Sequence, residues 1–261
     1  MPTQIWAHRG SSATMPENTL AAFDLAARQG ADGIELDVQL SSDGHIVVIH
    51  DETCLRTAGV DRPVAGMTLA ELRQLDFAVG WPGQPRQPAA TLADVFDLVK
   101  PTGMTINIEL KNGLEPYPGL EHAVLQEAVR MNMAGRICLS SFNHYSMVLA
   151  ARLCREARLP VPCGLLYSCG IYEPWRYASQ LGVHAIHPLY VNLQIPHLVK
   201  DCHTAGIPVN AWTIDRPDHL KMAFHLGIDA VITNVPDLAL SIRSQLHAGQ
   251  AQGPDPAEPS A

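Results

Sequence analysis

The chain has 261 residues, of which 47% are hydrophobic and 17% charged, and its formal net charge is −8. That acidity argues against a nucleic-acid surface, which needs clustered Lys and Arg, and no apolar run reaches the ~18 residues needed to span a bilayer. The N-terminus lacks the basic and apolar segments of a secretory signal, and Cys54, Cys138, Cys154, Cys163, Cys169 and Cys202 form no Cys-x-x-Cys pair, so a cytoplasmic protein with reduced thiols is expected.

In chain order, QIWAHRG reads as a short strand ending in a loop, and NTLAAFDLAARQG follows with helical spacing, Asn18 as its N-cap and Gly30 as its stop. A second strand, GIELDVQL, passes through the hairpin signal Asp43-Gly44 into HIVVIH, which places His50 at a strand end. From about residue 51 to 100 the rhythm breaks, and Pro63, Pro82, Pro85 and Pro88 punctuate an insertion with two short helical segments. Thr68 with Glu71 and Thr91 with Asp94 have the form of capping boxes, which gives these two acids structural roles.

Strands TINIELK, RICLSSF, PCGLLYS, HAIHPLY, PVNAWTI and DAVITN then alternate with helical segments. One strand per helix makes eight units, which predicts an α/β fold of the (β/α)8 TIM-barrel type, a single domain over residues 1–247 with a small insertion after the hairpin. No Gly-x-Gly-x-x-Gly follows the first strand, which weakens a dinucleotide-binding reading. The Gly- and Pro-rich tail, 248–261, is expected to be disordered.

Side chains two apart on a strand share a face, so Glu35 and Asp37 project together while Ile34, Leu36 and Val38 project the other way. Adjacent carboxylates repel unless they share a proton, meet a basic partner or bind a hard cation. In TINIELK the same alternation turns Asn107, Glu109 and Lys111 inward. Active sites of such barrels lie at the C-terminal strand ends, where His8, Arg9, Glu35, Asp37, His50, Glu109 and Lys111 all fall. Three converging carboxylates favour one divalent cation, Mg²⁺ or Ca²⁺, over zinc. His8 and His50 can supply an acid and a base, and Arg9 and Lys111 supply positive charge suited to a phosphoryl group.

These residues carry a resemblance to the glycerophosphodiester phosphodiesterases, (β/α)8 barrels with a small insertion. It rests on AHRG with PENT, GADGIELDVQLSSDGHIVVIHDET, NIELK, AWTI and GIDAVITNVPD. The resemblance implies hydrolysis of a glycerophosphodiester to sn-glycerol 3-phosphate and an alcohol, with Glu35, Asp37 and Glu109 as metal ligands, His8 and His50 as the acid–base pair, and Arg9 and Lys111 at the phosphate. It also implies a route in which a glycerol hydroxyl attacks phosphorus and water then opens a cyclic phosphate. The small-molecule diester is the expected partner. A larger lysophospholipid or phosphoinositide, or a non-catalytic barrel that binds phosphate esters, are the alternatives; an apolar groove in the insertion would favour lipid, and a closed polar lid a deacylated headgroup.

Trp212 matches an aromatic position near the family's site, where it would pack on glycerol carbons, and reads equally as a buried core residue. Asp51 can orient His50 or cap the insertion. His184 and His187 point to opposite strand faces, His187 within reach of the pocket, whereas His219 and His225 read as surface residues and Asp43 as a turn residue. The chain departs from the family's commonest pattern at Asn234, where Asp is frequent, and at Cys54, Leu55 and Ala58; neither departure is expected to touch the metal or histidine positions.

Overall fold

A computed structural model describes residues 2–251. Eight parallel strands form its wall: β1 (Gln4–His8), β2 (Gly33–Leu40), β4 (Thr105–Leu110), β5 (Ile137–Ser141), β6 (Cys163–Tyr167), β7 (Ala185–Pro188), β8 (Asn210–Ala211) and β9 (Ala230–Thr233). A short hairpin strand, β3 (Ile46–Val48), runs antiparallel on β2. The strand order is β7-β6-β5-β4-β2-β1-β9-β8, and the parallel bridges Ile186↔Val209 and Leu189↔Trp212 join the two ends. The wall is therefore the closed TIM barrel that the alternation predicts.

Helices α1 (Leu20–Gln29), α4 (Leu92–Val99), α5 (Leu120–Arg130), α6 (His144–Glu156), α7 (Pro174–Leu181), α8 (Leu198–Thr204), α9 (Pro217–Leu226) and α10 (Pro236–Ala251) surround it. The last helix continues four residues beyond 247, where the tail was expected to begin, and 252–261 lie outside the described residues. No helix among the described residues is long and apolar enough to cross a membrane.

The irregular segment after His50 holds the short helices α2 (Leu55–Ala58) and α3 (Leu69–Leu72) over a small core of Val47, Ile49, Cys54, Val64, Met67, Leu72 and Phe77. Both predicted capping boxes form, Thr68 with Glu71 and Thr91 with Asp94. The second one starts α4, whose Leu92, Val95, Phe96 and Val99 belong to the main barrel core. Barrel structure therefore resumes at Thr91 rather than after Lys100; prolines up to Pro88 blur that boundary in the sequence.

Strand register does most to place the site. Parallel pairing sets His8 beside Glu35, Glu35 beside Asn107 and Asp37 beside Glu109. Neighbouring strands lie ~4.8 Å apart, so these inward side chains are forced together. The opposite face of β2, Ile34, Leu36 and Val38, is fully buried under the helices, as expected for a strand covered on that side.

Lower in the barrel, His187 on β7 is 1% exposed and does not line the cavity at the mouth. It sits where Gly164 of β6 lacks a side chain, since a Cβ there would come within 2.3 Å of its Nε2. Asn210 donates to that Nε2 at 2.9 Å, which leaves Nδ1 buried without a partner, and burial depresses the imidazole to about 3. The unfolded chain, with an ordinary His near 6.5, thus binds a proton that the folded chain refuses between those values. Unfolding free energy should fall with falling pH through that window, and His187→Gln should remove ~1.4 kcal/mol per pH unit of the slope between about pH 6 and 4, as read from urea titrations at stepped pH.

Candidate active site

A cavity of about 110 Å³ opens at the C-terminal mouth of the barrel, lined by His8, Arg9, Glu35, Asn107, Glu109, His50, Phe142, Leu166, Trp212, Thr213 and Ile232. A larger groove, about 1300 Å³, runs along the flank over α4, α5 and α6, but none of the residues that the sequence singles out for chemistry lines it. The candidate residues gather at the mouth, not in the larger groove.

Ligand atoms of Glu35, Asp37 and Glu109 lie within 4.8 Å of one another, and the three residues are 3%, 0% and 8% exposed. A strand edge with its acids in water is thus ruled out. Among the protein's own charges, burial and then Asp37 and Glu109 push Glu35 well above the carboxylate range, and burial and then Asp37 raise Glu109 to about 7. Burial pushes Asp37 the same way, but Arg9, His50, Lys111 and Asn18 outweigh it and hold this carboxyl low. Its Oδ1 is buried with no partner. An all-oxygen cluster with an unused buried acceptor can hold a hard cation such as Mg²⁺ or Ca²⁺.

The surrounding cations come from the ends of β1 and β4. Arg9 Nε lies 3.2 Å from Asp37 Oδ2, and its Nη1 donates to Glu17 at 2.9 Å. Burial works against the Lys111 ammonium, yet Glu109, which it meets at 2.9 Å, and Asp37 raise its pKa. Arg9 and Asn18 both have left-handed backbones (φ 55° and 57°), a conformation that non-glycine residues hold only when surroundings impose it. Here the Arg9 N–H donates to the Glu35 carbonyl at 2.9 Å, and the Asn18 N–H to the Arg9 carbonyl at 3.0 Å.

Asn18 is not the N-cap that the sequence reading made it. Thr19 caps α1, accepting from the Ala22 N–H, while the Asn18 amide turns inward and donates to Asp37 Oδ2 at 2.8 Å. Thr19 competes for the cap from the next position, and the buried carboxylate needs a neutral donor.

The two histidines are held differently. His8 Nδ1 lies 2.7 Å from Asn234 Oδ1, and the Asn234 amide nitrogen donates to Asp215 at 2.6 Å. Asp215 only accepts, so it turns Oδ1 toward His8 and makes Nδ1 the protonated nitrogen. Burial first, then Arg9, lowers the His8 pKa to about 4. His50 Nδ1 meets the carboxylate of Asp51 at 2.5 Å, and its Nε2 lies 3.1 Å from Lys111 Nζ. The departure at Asn234 therefore does touch a histidine, contrary to expectation, because β9 pairs with β1 in a register that sets Thr233 beside Ala7 and so brings the next residue, Asn234, alongside His8.

The site also includes residues that the sequence did not reveal. Gln39, inward on β2 two residues after Asp37, donates to the carbonyls of Ile49, His50 and Asp51 and accepts from the Tyr117 hydroxyl. Its place in the Glu35–Asp37 alternation was the available signal. Opposite the charges, Trp212 is half-buried on the cavity wall, donates through Nε1 to the His187 carbonyl at 2.8 Å and meets Phe142 edge-on at 5.4 Å. It lines the site and is not a closed core residue.

Residues 8–238 match the family model described as the glycerophosphoryl diester phosphodiesterase family. A glycerophosphodiester phosphodiesterase of Caldanaerobacter subterraneus is 40% identical over 243 residues, 93% of this chain and 98% of that one. An Oleispira antarctica phosphodiesterase solved with the product sn-glycerol-3-phosphate superimposes with a TM-score of 0.79 at 31% identity, covering 93% of this chain and 97% of that one. A Silicibacter pomeroyi structure described as a glycerophosphoryl diester phosphodiesterase shares the fold, with a TM-score of 0.83 at 24% identity over 94% of each chain.

Because the Asn18 amide orients Asp37 without entering the cluster's charge balance, Asn18→Ala should weaken divalent-cation binding by about 10- to 100-fold while the barrel stays folded. Calorimetric titration of the metal-stripped protein measures this directly.

Proposed function

The chain belongs to the glycerophosphoryl diester phosphodiesterase family, and from that premise we propose that it hydrolyses glycerophosphodiesters to sn-glycerol 3-phosphate and an alcohol at the mouth of its barrel. One observation carries this reading: His8, Arg9, Glu35, His50 and Glu109 line a single compact cavity, with Asp37 completing the buried three-carboxylate cluster and Lys111 in contact with Glu109 and His50 behind them.

Glu35, Asp37 and Glu109 would hold the cation, Mg²⁺ or Ca²⁺, which the unpartnered Asp37 Oδ1 and the oxygen-only donor set fit. When bound, such an ion neutralises charge that builds on the phosphoryl oxygens. Arg9 and Lys111 present positive charge to the same group. His8, neutral and with Nδ1–H committed to Asn234, keeps Nε2 free to take the proton of a glycerol hydroxyl as that oxygen attacks phosphorus. His50, backed by Asp51, delivers a proton from Nε2 to the alcohol oxygen as its bond to phosphorus breaks. Water then opens the cyclic phosphate with the two roles exchanged. Trp212 and Phe142 offer an apolar wall to the glycerol carbons.

The insertion meets this site through Asp51 and the exposed Arg56 rather than through an apolar groove. Together with a cavity of only about 110 Å³, that favours a deacylated headgroup over a lysophospholipid or phosphoinositide. The proposal includes a cytoplasmic setting, in keeping with six cysteines that are all free.

Metal-stripped protein incubated with glycerophosphodiesters should release glycerol 3-phosphate only after Mg²⁺ or Ca²⁺ is restored. Glu35→Gln or Glu109→Gln should abolish product, and His8→Ala or His50→Ala should each cut turnover by about 10²- to 10⁴-fold. Full turnover under strong chelation would refute the metal assignment, and no product with any diester and cation would favour a non-catalytic, ester-binding barrel.

A further inference from the structure

We propose that Arg56 is a positioning residue for His50, its guanidinium clamping Asp51 against the imidazole by tying that carboxylate to Glu17 in the loop between β1 and α1. The proposal rests on the reading of His50 as the proton donor to the leaving alcohol.

The clamp is a double fork. Arg56 Nε donates to Asp51 Oδ2 at 2.7 Å and Nη2 to Asp51 Oδ1 at 3.0 Å. On its other side Nη1 donates to Glu17 Oε2 at 2.6 Å and Nη2 to Glu17 Oε1 at 2.7 Å. The planar guanidinium meets two carboxylates bidentately at once, a geometry that an ammonium cannot reproduce. Burial opposes ionisation of Asp51, but the Arg56 and His50 hydrogen bonds bring its carboxyl down to about 2, so it stays charged behind the imidazole.

Asp51 needs such a clamp. Its side chain is 28% exposed and that of His50 29%, so both reach partly into water rather than into the core. Among the described residues the Asp51 carboxylate has hydrogen bonds only to His50 and Arg56. Gln39 fixes the backbone carbonyls of this loop, not the carboxylate. Glu17, in turn, is held from the barrel side by Arg9. A line of side-chain contacts thus runs Asp37, Arg9, Glu17, Arg56, Asp51, His50, Lys111, Glu109, beginning and ending in the carboxylate cluster. Arg56 is the link that joins the insertion to the first strand's loop, and so ties the Asp51–His50 pair to the β1 side of the site.

The Arg56 side chain is 49% exposed, and ion pairs so open to water add little to stability. Its loss should therefore act on geometry, and a misplacement of ~1 Å in a proton donor can cost ~10²-fold in rate.

The test uses the full chain loaded with its divalent cation and two substrates. Glycerophosphoethanolamine expels ethanolamine, whose alkoxide oxygen must be protonated; the 4-nitrophenyl ester of glycerol 3-phosphate expels 4-nitrophenolate, which need not be. In single turnovers that follow release of the alcohol, the step before the cyclic phosphate opens, Arg56→Ala should slow the alkyl ester about 10- to 100-fold, with steady-state KM within about threefold, and change nitrophenolate release by less than about threefold. Its Tm should stay within about 3 °C of the parent, and Arg56→Lys should recover only part of the loss. Equal losses on both substrates, or no loss on the alkyl ester, would overturn the clamp. His50→Ala run alongside separates the premise: it should show the same leaving-group pattern more strongly. If His50→Ala shows it and Arg56→Ala does not, the clamp alone fails; if His50→Ala loses both substrates equally, the proton-donor reading fails and takes the clamp with it.

Discussion

Three carboxylates forced into one buried wall are the constraint from which the rest of the mouth follows. Register leaves no escape: β2 and β4 pair Asp37 directly with Glu109, and Glu35 shares the face of Asp37. Like charges a few ångströms apart in a water-poor site repel strongly, and an unpaired buried charge is among the costliest features that a fold can carry. The chain answers with Arg9 on one side, Lys111 on the other and the neutral amide of Asn18 beneath. These still leave Glu35 and Glu109 pushed toward their protonated forms and Asp37 Oδ1 unpartnered. The arrangement is incomplete as a salt-bridge network and offers the oxygen donors that could hold a cation.

The closed barrel then divides the mouth by strand. Charged residues come from β1, β2, the loop after β3 and β4, whereas Phe142, Leu166, Trp212 and Ile232 on or after β5, β6, β8 and β9 form the apolar side. Each parallel strand delivers its C-terminal end to the same face, so one polar arc and one apolar arc face each other without a second domain. A phosphodiester of a short polyol has the same division, anionic at phosphorus and apolar along its carbons.

Much of this was legible as alternation. GIELDVQL and TINIELK each show a polar set at every second residue, and two such strands in a parallel sheet need only the right register to bring their acids together. The capping boxes at Thr68 and Thr91 were also readable, because a cap is a local bargain within four residues. What escaped depends on contacts between distant loops. Asn18 looks like a cap until Asp37, nineteen positions away, claims its amide. Asn234 looks like a peripheral departure until the barrel closes and sets it 2.7 Å from His8. Arg56 and Glu17 are thirty-nine residues apart, and nothing in either neighbourhood announces the other. Periodicity records which face a side chain takes, and leaves open which loop will lie above it.

The two histidines show why such loop contacts matter to chemistry. A neutral amide behind His8 fixes a tautomer without adding charge, which suits the proton-accepting role proposed for it. A carboxylate behind His50 would stabilise an imidazolium, which suits the proton-donating role proposed for it. Yet Lys111 also lies 3.1 Å from His50 Nε2, and an ammonium has only protons to offer, so in this arrangement Nε2 must be the acceptor. Lys111 cannot keep that contact while His50 carries a proton there. On the proposed route an arriving phosphodiester would resolve the conflict, because its anionic oxygens are stronger acceptors for the ammonium than a neutral imidazole. Lys111 would turn to the phosphate and free Nε2 to be protonated beside the leaving oxygen. The step that binds the substrate charge would then be the same step that arms the acid.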